Sequence, residues 1–127
     1  MVGKYRRSSD YRFLSNIALA DIAFVARGDT LAHLFEASAR AMTEVMVDRK
    51  TLVARVERHL ELNSPTVDRL LYDFLTELIV MKDVDSLLFK DFQVSILPGK
   101  RGHDLTCELR GEEIDRERHA LRNDVKA

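Results

Sequence analysis

The carboxylate in this chain most open to chemistry is Asp21, which stands between Ala20 and Ile22 in the apolar run Ala20 to Ala26. An uncompensated charge is costly to bury among such neighbours. Two arrangements relieve the cost. Asp21 lies on the polar face of an alternating strand or caps a turn, or it sits at a strand end as the ligand of a divalent cation. Oxygen ligands suit calcium or magnesium. Glu77, within Leu75-Thr76-Glu77-Leu78, lies at the margin of an apolar face and reads as an ion-pair partner. Glu112, Glu113 and Asp115 read either as neighbours of a cation or as a solvated loop.

Other reactive groups point away from catalysis. Cys107 is the single cysteine, so no internal disulfide can form, and a lone thiol fits a reducing compartment. It alternates with Leu105 and Leu109 and reads as a buried core thiol. His33 lies one position off an apolar stripe, His59 on a wet strand face, His103 beside a turn and His119 in a charged segment. They are scattered along the sequence, which argues against a histidine metal site. No Gly-rich phosphate loop, paired-cysteine zinc pattern or His-x-x-x-His helix occurs. With no nucleophile and base in evident partnership, the chain is not expected to be an enzyme.

Several elements must position these groups. Thr30 is a natural N-cap for a helix whose apolar stripe runs through Leu31, Leu34, Phe35, Ala39, Met42, Val45 and Met46, ending near Asp48. Leu52, Ala54, Val56, Leu60 and Leu62 alternate with polar residues, which predicts a strand over 52–62. Arg58 interrupts its dry face and marks a bulge or a sheet edge. Asn63-Ser64-Pro65 predicts a helix start with Ser64 as cap and Pro65 first in the helix. Val67, Leu70, Leu71, Phe74, Leu75, Leu78 and Ile79 then recur at helical spacing. Phe92, Val94 and Ile96, the turn Pro98 to Gly102, and Leu105, Cys107 and Leu109 predict a hairpin with a loop of several residues. Ala20 to Ala26 reads as a strand leading into the first helix, Gly111 to Asp124 as a charged loop, and Val125-Lys126-Ala127 as the opening of another strand. The fold class this order implies is α+β, with two helices packed on one face of a largely antiparallel sheet.

The bulk properties agree. Residues 1–127 read as a single domain, with 1–10 a flexible tail in which Lys4, Arg6 and Arg7 are solvated. Hydrophobic residues at 46% supply a core, and a formal net charge of -1 speaks against a general nucleic-acid binder. No apolar run approaches the ~20 residues that span a bilayer. No apolar leader follows Met1, so the expected location is the cytoplasm, away from membranes.

In order, these segments resemble the archease family, small proteins that assist RNA ligation in tRNA splicing. Phe13-Leu14 followed by Ala20-Asp21-Ile22 is similar to the family's opening motif. Gly28-Asp29-Thr30-Leu31 with Leu34-Phe35-Glu36 and Ala39 is similar to the start of its first helix. Leu70-Leu71 through Phe74-Leu75-Thr76-Glu77-Leu78 resembles its second helix, and Gly111-Glu112, His119 and Val125-Lys126-Ala127 its late loop and following strand.

The resemblance implies a co-factor of the GTP-dependent RNA ligase that joins 3′-phosphate or cyclic-phosphate ends to 5′-hydroxyl ends. Such a co-factor promotes guanylylation of the ligase and its turnover. By resemblance Asp21 is a ligand of a divalent cation, calcium or magnesium, and Lys126 a functional cation. The RNA ligase is then the implied partner, with no direct nucleic acid. The family's His before Ala-Asp is replaced by Ala18, and Ser15-Asn16-Ile17 reads as a local insertion. The family's last strands and C-terminal Asp would follow Ala127, so the resemblance implies a divergent, C-terminally truncated member. An unfinished sheet would leave an open edge through which a homo-oligomer can form. The rival reading is a non-catalytic interaction or chaperone-like module that keeps the fold without the metal site.

Overall fold

In the computed structural model of the chain, residues 9–14 and 23–125 are described. The order is β1 (Ser9–Leu14), β2 (Ala23–Gly28), α1 (Leu31–Met46), a 3-10 turn (Arg49–Thr51), β3 (Val56–Ser64), α2 (Val67–Asp85), β4 (Leu87–Gly99) and β5 (Gly102–Glu113). All pairing between named strands is antiparallel. β1 pairs with β2, while the other strands form a separate sheet in the order β3-β5-β4. α1 packs on β4 and on the β1–β2 pair, so it joins the two sheets, and α2 lies across the three-stranded sheet beside it. This is the expected α+β architecture, with the antiparallel strands divided between two sheets. No helix among the described residues is long and apolar enough to cross a membrane.

The core is the meeting of the stripes read from the sequence. Phe35, Ala39 and Met42 of α1 face Leu70, Phe74 and Leu78 of α2, with Leu105, Cys107 and Leu109 of β5 beneath. Phe35 and Phe74 stack with centroids 5.9 Å apart, and both are 0% exposed. Burial pushes the Cys107 thiol up to about 12, so it packs as a small apolar group.

Local chemistry sets the boundaries. The Thr30 hydroxyl accepts from His33 N at 3.1 Å, which caps α1 as expected. The start of α2 differs from expectation. Ser64 is still paired with His103 in the sheet, so Thr66 takes the cap and Val67 is the first helical residue. Freed from capping, the Ser64 hydroxyl donates to Asp73 Oδ2 at 2.7 Å. α2 also runs beyond the expected stripe, to Asp85. β3 starts at Val56 rather than 52, because Leu52 N closes the 3-10 turn on Arg49 O at 3.1 Å and Val53 N goes to the Glu112 carboxylate at 2.7 Å. Arg58 causes no bulge; β3 is a sheet edge.

The β4–β5 loop is tighter than expected. Gly99 pairs with Gly102, leaving Lys100 and Arg101 to turn the chain, and Gly102 takes φ +123°. β1 begins at Ser9, so the last two residues of the expected tail are strand. β5 continues to Glu113, three residues into the segment read as loop. β4 is the other edge, and side chains occupy part of it. Glu36 accepts from Val94 N at 2.8 Å, and Arg49 Nη2 donates to Lys90 O at 2.9 Å.

Candidate functional site

The segment from Ile114 to Val125 is built as a strap. α1 ends without glycine and without a basic residue in its last turn, so its final carbonyls need partners from elsewhere. Val47 N reaches Thr43 O at 2.9 Å, and the strap supplies the rest. Arg122 Nη1 donates to Glu44 O at 2.8 Å. Asn123 N and Nδ2 donate to Val45 O at 3.1 and 3.2 Å. Arg122 N donates to Met46 O at 2.7 Å, and a bridge between Val47 and Leu121 continues the contact. The Arg122 guanidinium also meets Glu44 Oε1 at 3.0 Å and places positive charge at the negative end of the helix.

A buried carboxylate holds the start of the strap. Glu112 is 3% exposed. It accepts from Val53 N at 2.7 Å and His119 Nε2 at 2.7 Å, and from both terminal nitrogens of Arg118. His119 Nδ1 in turn accepts from Asp115 N at 2.9 Å, which fixes its ring. The Arg118 guanidinium, opposed by burial and helped by His119 and Val53, holds the Glu112 carboxyl down at about 2. Next to it Gly111 is required by space, since a Cβ there would come within 2.0 Å of Leu88 O.

The end of the strap is held by α2. Lys82 continues the Leu75, Leu78, Ile79 stripe and is only 8% exposed. Its ammonium donates to Val125 O at 2.7 Å, meets Asp83 Oδ1 at 3.0 Å, and bonds Asp124 Oδ1. Burial would lower its pKa, but the hydrogen bonds it donates to Asp124 and Asp83 outweigh that and hold it above the ordinary lysine range. Ser86, in the left-handed region at φ 57°, ends α2 and accepts from Ile114 N at 2.7 Å. Between the strap and the ends of both helices lies an open cleft of about 450 Å³ whose walls include Lys82, Asp83, Arg116, Arg122 and Asp124. Arg116 also lines a neighbouring cleft beside Arg55 and Arg118.

Asp21 and Lys126 lie outside the described residues, as do Ala18, Ser15-Asn16-Ile17 and the Lys4, Arg6, Arg7 cluster. Val125 is described and lies outside any strand. Glu112 is held by Arg118 and His119, so the cation it neighbours is a guanidinium, and His119 is buried rather than solvated. Glu77 makes no ion pair among the described residues, since no basic residue stands three or four positions away on α2. Both ring nitrogens of His59 meet carboxylates, Glu61 at 2.7 Å and Glu108 at 2.5 Å, and these raise its pKa on the exposed sheet face. No group of three His, Cys, Asp or Glu able to hold a metal occurs among the described residues. Where Asp83 and Asp124 converge, the Lys82 ammonium already supplies the positive charge, so these carboxylates do not fit a metal.

Sequence reasoning missed Lys82, Asp124 and the Glu112 hub. For Lys82 the signal was present, a charged residue on the dry side of a helix. For Glu112 it was not, because its partner Val53 stands 59 residues away.

Comparison with known proteins follows the same residues. The sequence profile of the Archease protein family (MTH1598/TM1083) matches residues 11–127. Protein archease of Pyrococcus abyssi is 37% identical over 108 residues, covering 85% of this chain and 76% of its own. The Methanothermobacter thermautotrophicus protein is 43% identical over 108 residues, with the same coverage. The solution structure of Methanobacterium thermoautotrophicum protein 1598 superposes with a TM-score of 0.74 at 35% identity, covering 94% of this chain and 82% of that one. The matched span takes in α1, α2 and the strap, and the chain belongs to the archease family.

Proposed function

We propose that this protein is a co-factor, not itself an enzyme, of a GTP-dependent RNA ligase that joins 3′-phosphate to 5′-hydroxyl ends. It promotes guanylylation of the ligase and its turnover in tRNA splicing, in the cytoplasm. Family membership supports the reading, and the strap carries it. Hydrogen bonds fix the chain as far as Val125, one residue before Lys126 and one after Asp124, which lines an open cleft. Arg116 lines that cleft and makes no ion pair among the described residues, so it adds to Lys126 a cation able to meet phosphate oxygens. Asp21 is the proposed ligand of a divalent cation, calcium or magnesium, which would supply charge neutralisation near a nucleotide. The described residues add no ligand cluster, and no step of the reading depends on the metal.

The test uses Asp21→Ala and Lys126→Ala with a cognate ligase. Both variants should melt close to the parent and fail to stimulate guanylylation. A folded variant that stimulates fully removes that residue from the site. An Asp21→Ala protein that melts far below the parent makes Asp21 a structural residue.

A further inference from the structure

Position 82 of α2 packs on the apolar side of the helix, beside Leu78 and Ile79. A methionine would fill the same space, so burial alone calls for no ammonium there. An ammonium has three N–H donors, and three acceptors surround this one: Asp83, Asp124 and the Val125 carbonyl. No donor is left over for a ligand. Two of the three acceptors belong to Asp124 and Val125, the residues that directly precede Lys126. The strap's upstream hydrogen bonds end on α1 at Val45, and Val125 also packs against the core, so the clasp adds a polar tie from α2 to an apolar one. A charged group so little exposed is costly to hold unless it is well paired, and here the pairing falls on the end of the strap.

We infer that Lys82 is a positioning residue, which clasps Asp124 and Val125 and so fixes the point from which the chain continues to Lys126. The inference rests on Lys126 being functional in ligase activation. Lys82 itself touches neither nucleotide nor ligase; it acts through the chain.

The test follows amide hydrogen exchange and ligase guanylylation on the full chain with Lys82→Met and Asp124→Asn. The second variant loosens the clasp from its exposed end and leaves the core untouched. Amides of 124–127 should exchange about tenfold faster in both variants, while those of Cys107 and Leu109 stay as in the parent. Ligase turnover should fall, with the concentration for half-maximal stimulation unchanged. Unchanged exchange at 124–127 in both variants overturns the clasp. Acceleration spread evenly over β5 makes Lys82 a general stabiliser and overturns it as well. Local loosening with full stimulation overturns the positioning role. Full stimulation by Lys126→Ala would sink the ligase reading instead, and the exchange result would still decide the clasp.

Discussion

Replacing Glu112 by Gln keeps its size and its ability to accept from Val53 N but removes the charge that Arg118 and His119 surround. The carboxyl is held at about 2 against an ordinary 4.5, which corresponds to roughly 3 kcal/mol of preference for the charged form. Arg118 is 37% exposed and shares its charge with solvent, so we expect about 2 kcal/mol of that in stability. The folded-state pKa lies below the unfolded one. The contribution is therefore complete above about pH 4.5 and drains away as the pH falls toward 2. Urea melts of parent and Glu112→Gln should differ by about 2 kcal/mol near pH 6.5 and by less than about 1 kcal/mol near pH 2.5. Other carboxylates titrate equally in both proteins and cancel in the difference. A gap of the same size at both pH values would mean that the effect is packing or neutral hydrogen bonding, and the charged hub would be wrong.

Two further outcomes are expected. Phe74→Ala, at a fully buried ring stacked on Phe35, should cost ~3–5 kcal/mol in a denaturant melt; a loss under ~1 kcal/mol would show that the ring is not in the core. Cys107, with its thiol pushed up to about 12, should resist iodoacetamide at pH 8 until the chain is unfolded, and rapid labelling of the native protein would contradict its burial.

Periodic burial was the legible part of the fold. Both helix stripes, the Thr30 cap and the β4–β5 hairpin follow from residues close in sequence, where spacing alone states which side is dry. Boundaries erred where a distant partner decided them. Ser64 looked like a cap, but its pairing with His103 keeps it in the sheet. The run 111–124 reads as a charged loop because its charges are dense. Each of its bonds to α1 joins residues so far apart that no local pattern records them. Asp21 stands out by its apolar neighbours, but its pairing with Lys126 rests on the family resemblance, since a single Asp in an apolar run and one Lys after Val125 have no spacing that marks them as partners.

The cap of α1 also orders events in time. Glu44 is made 78 residues before the arginine that covers its carbonyl. At ribosomal rates of roughly 5–20 residues per second that interval is about 4–16 s. Throughout it the carbonyls of Glu44, Val45 and Met46 have only water, so the end of α1 frays while β3, α2 and the hairpin are still being made. Completion of that helix therefore waits for the strap, and the same step delivers the strap to the cleft.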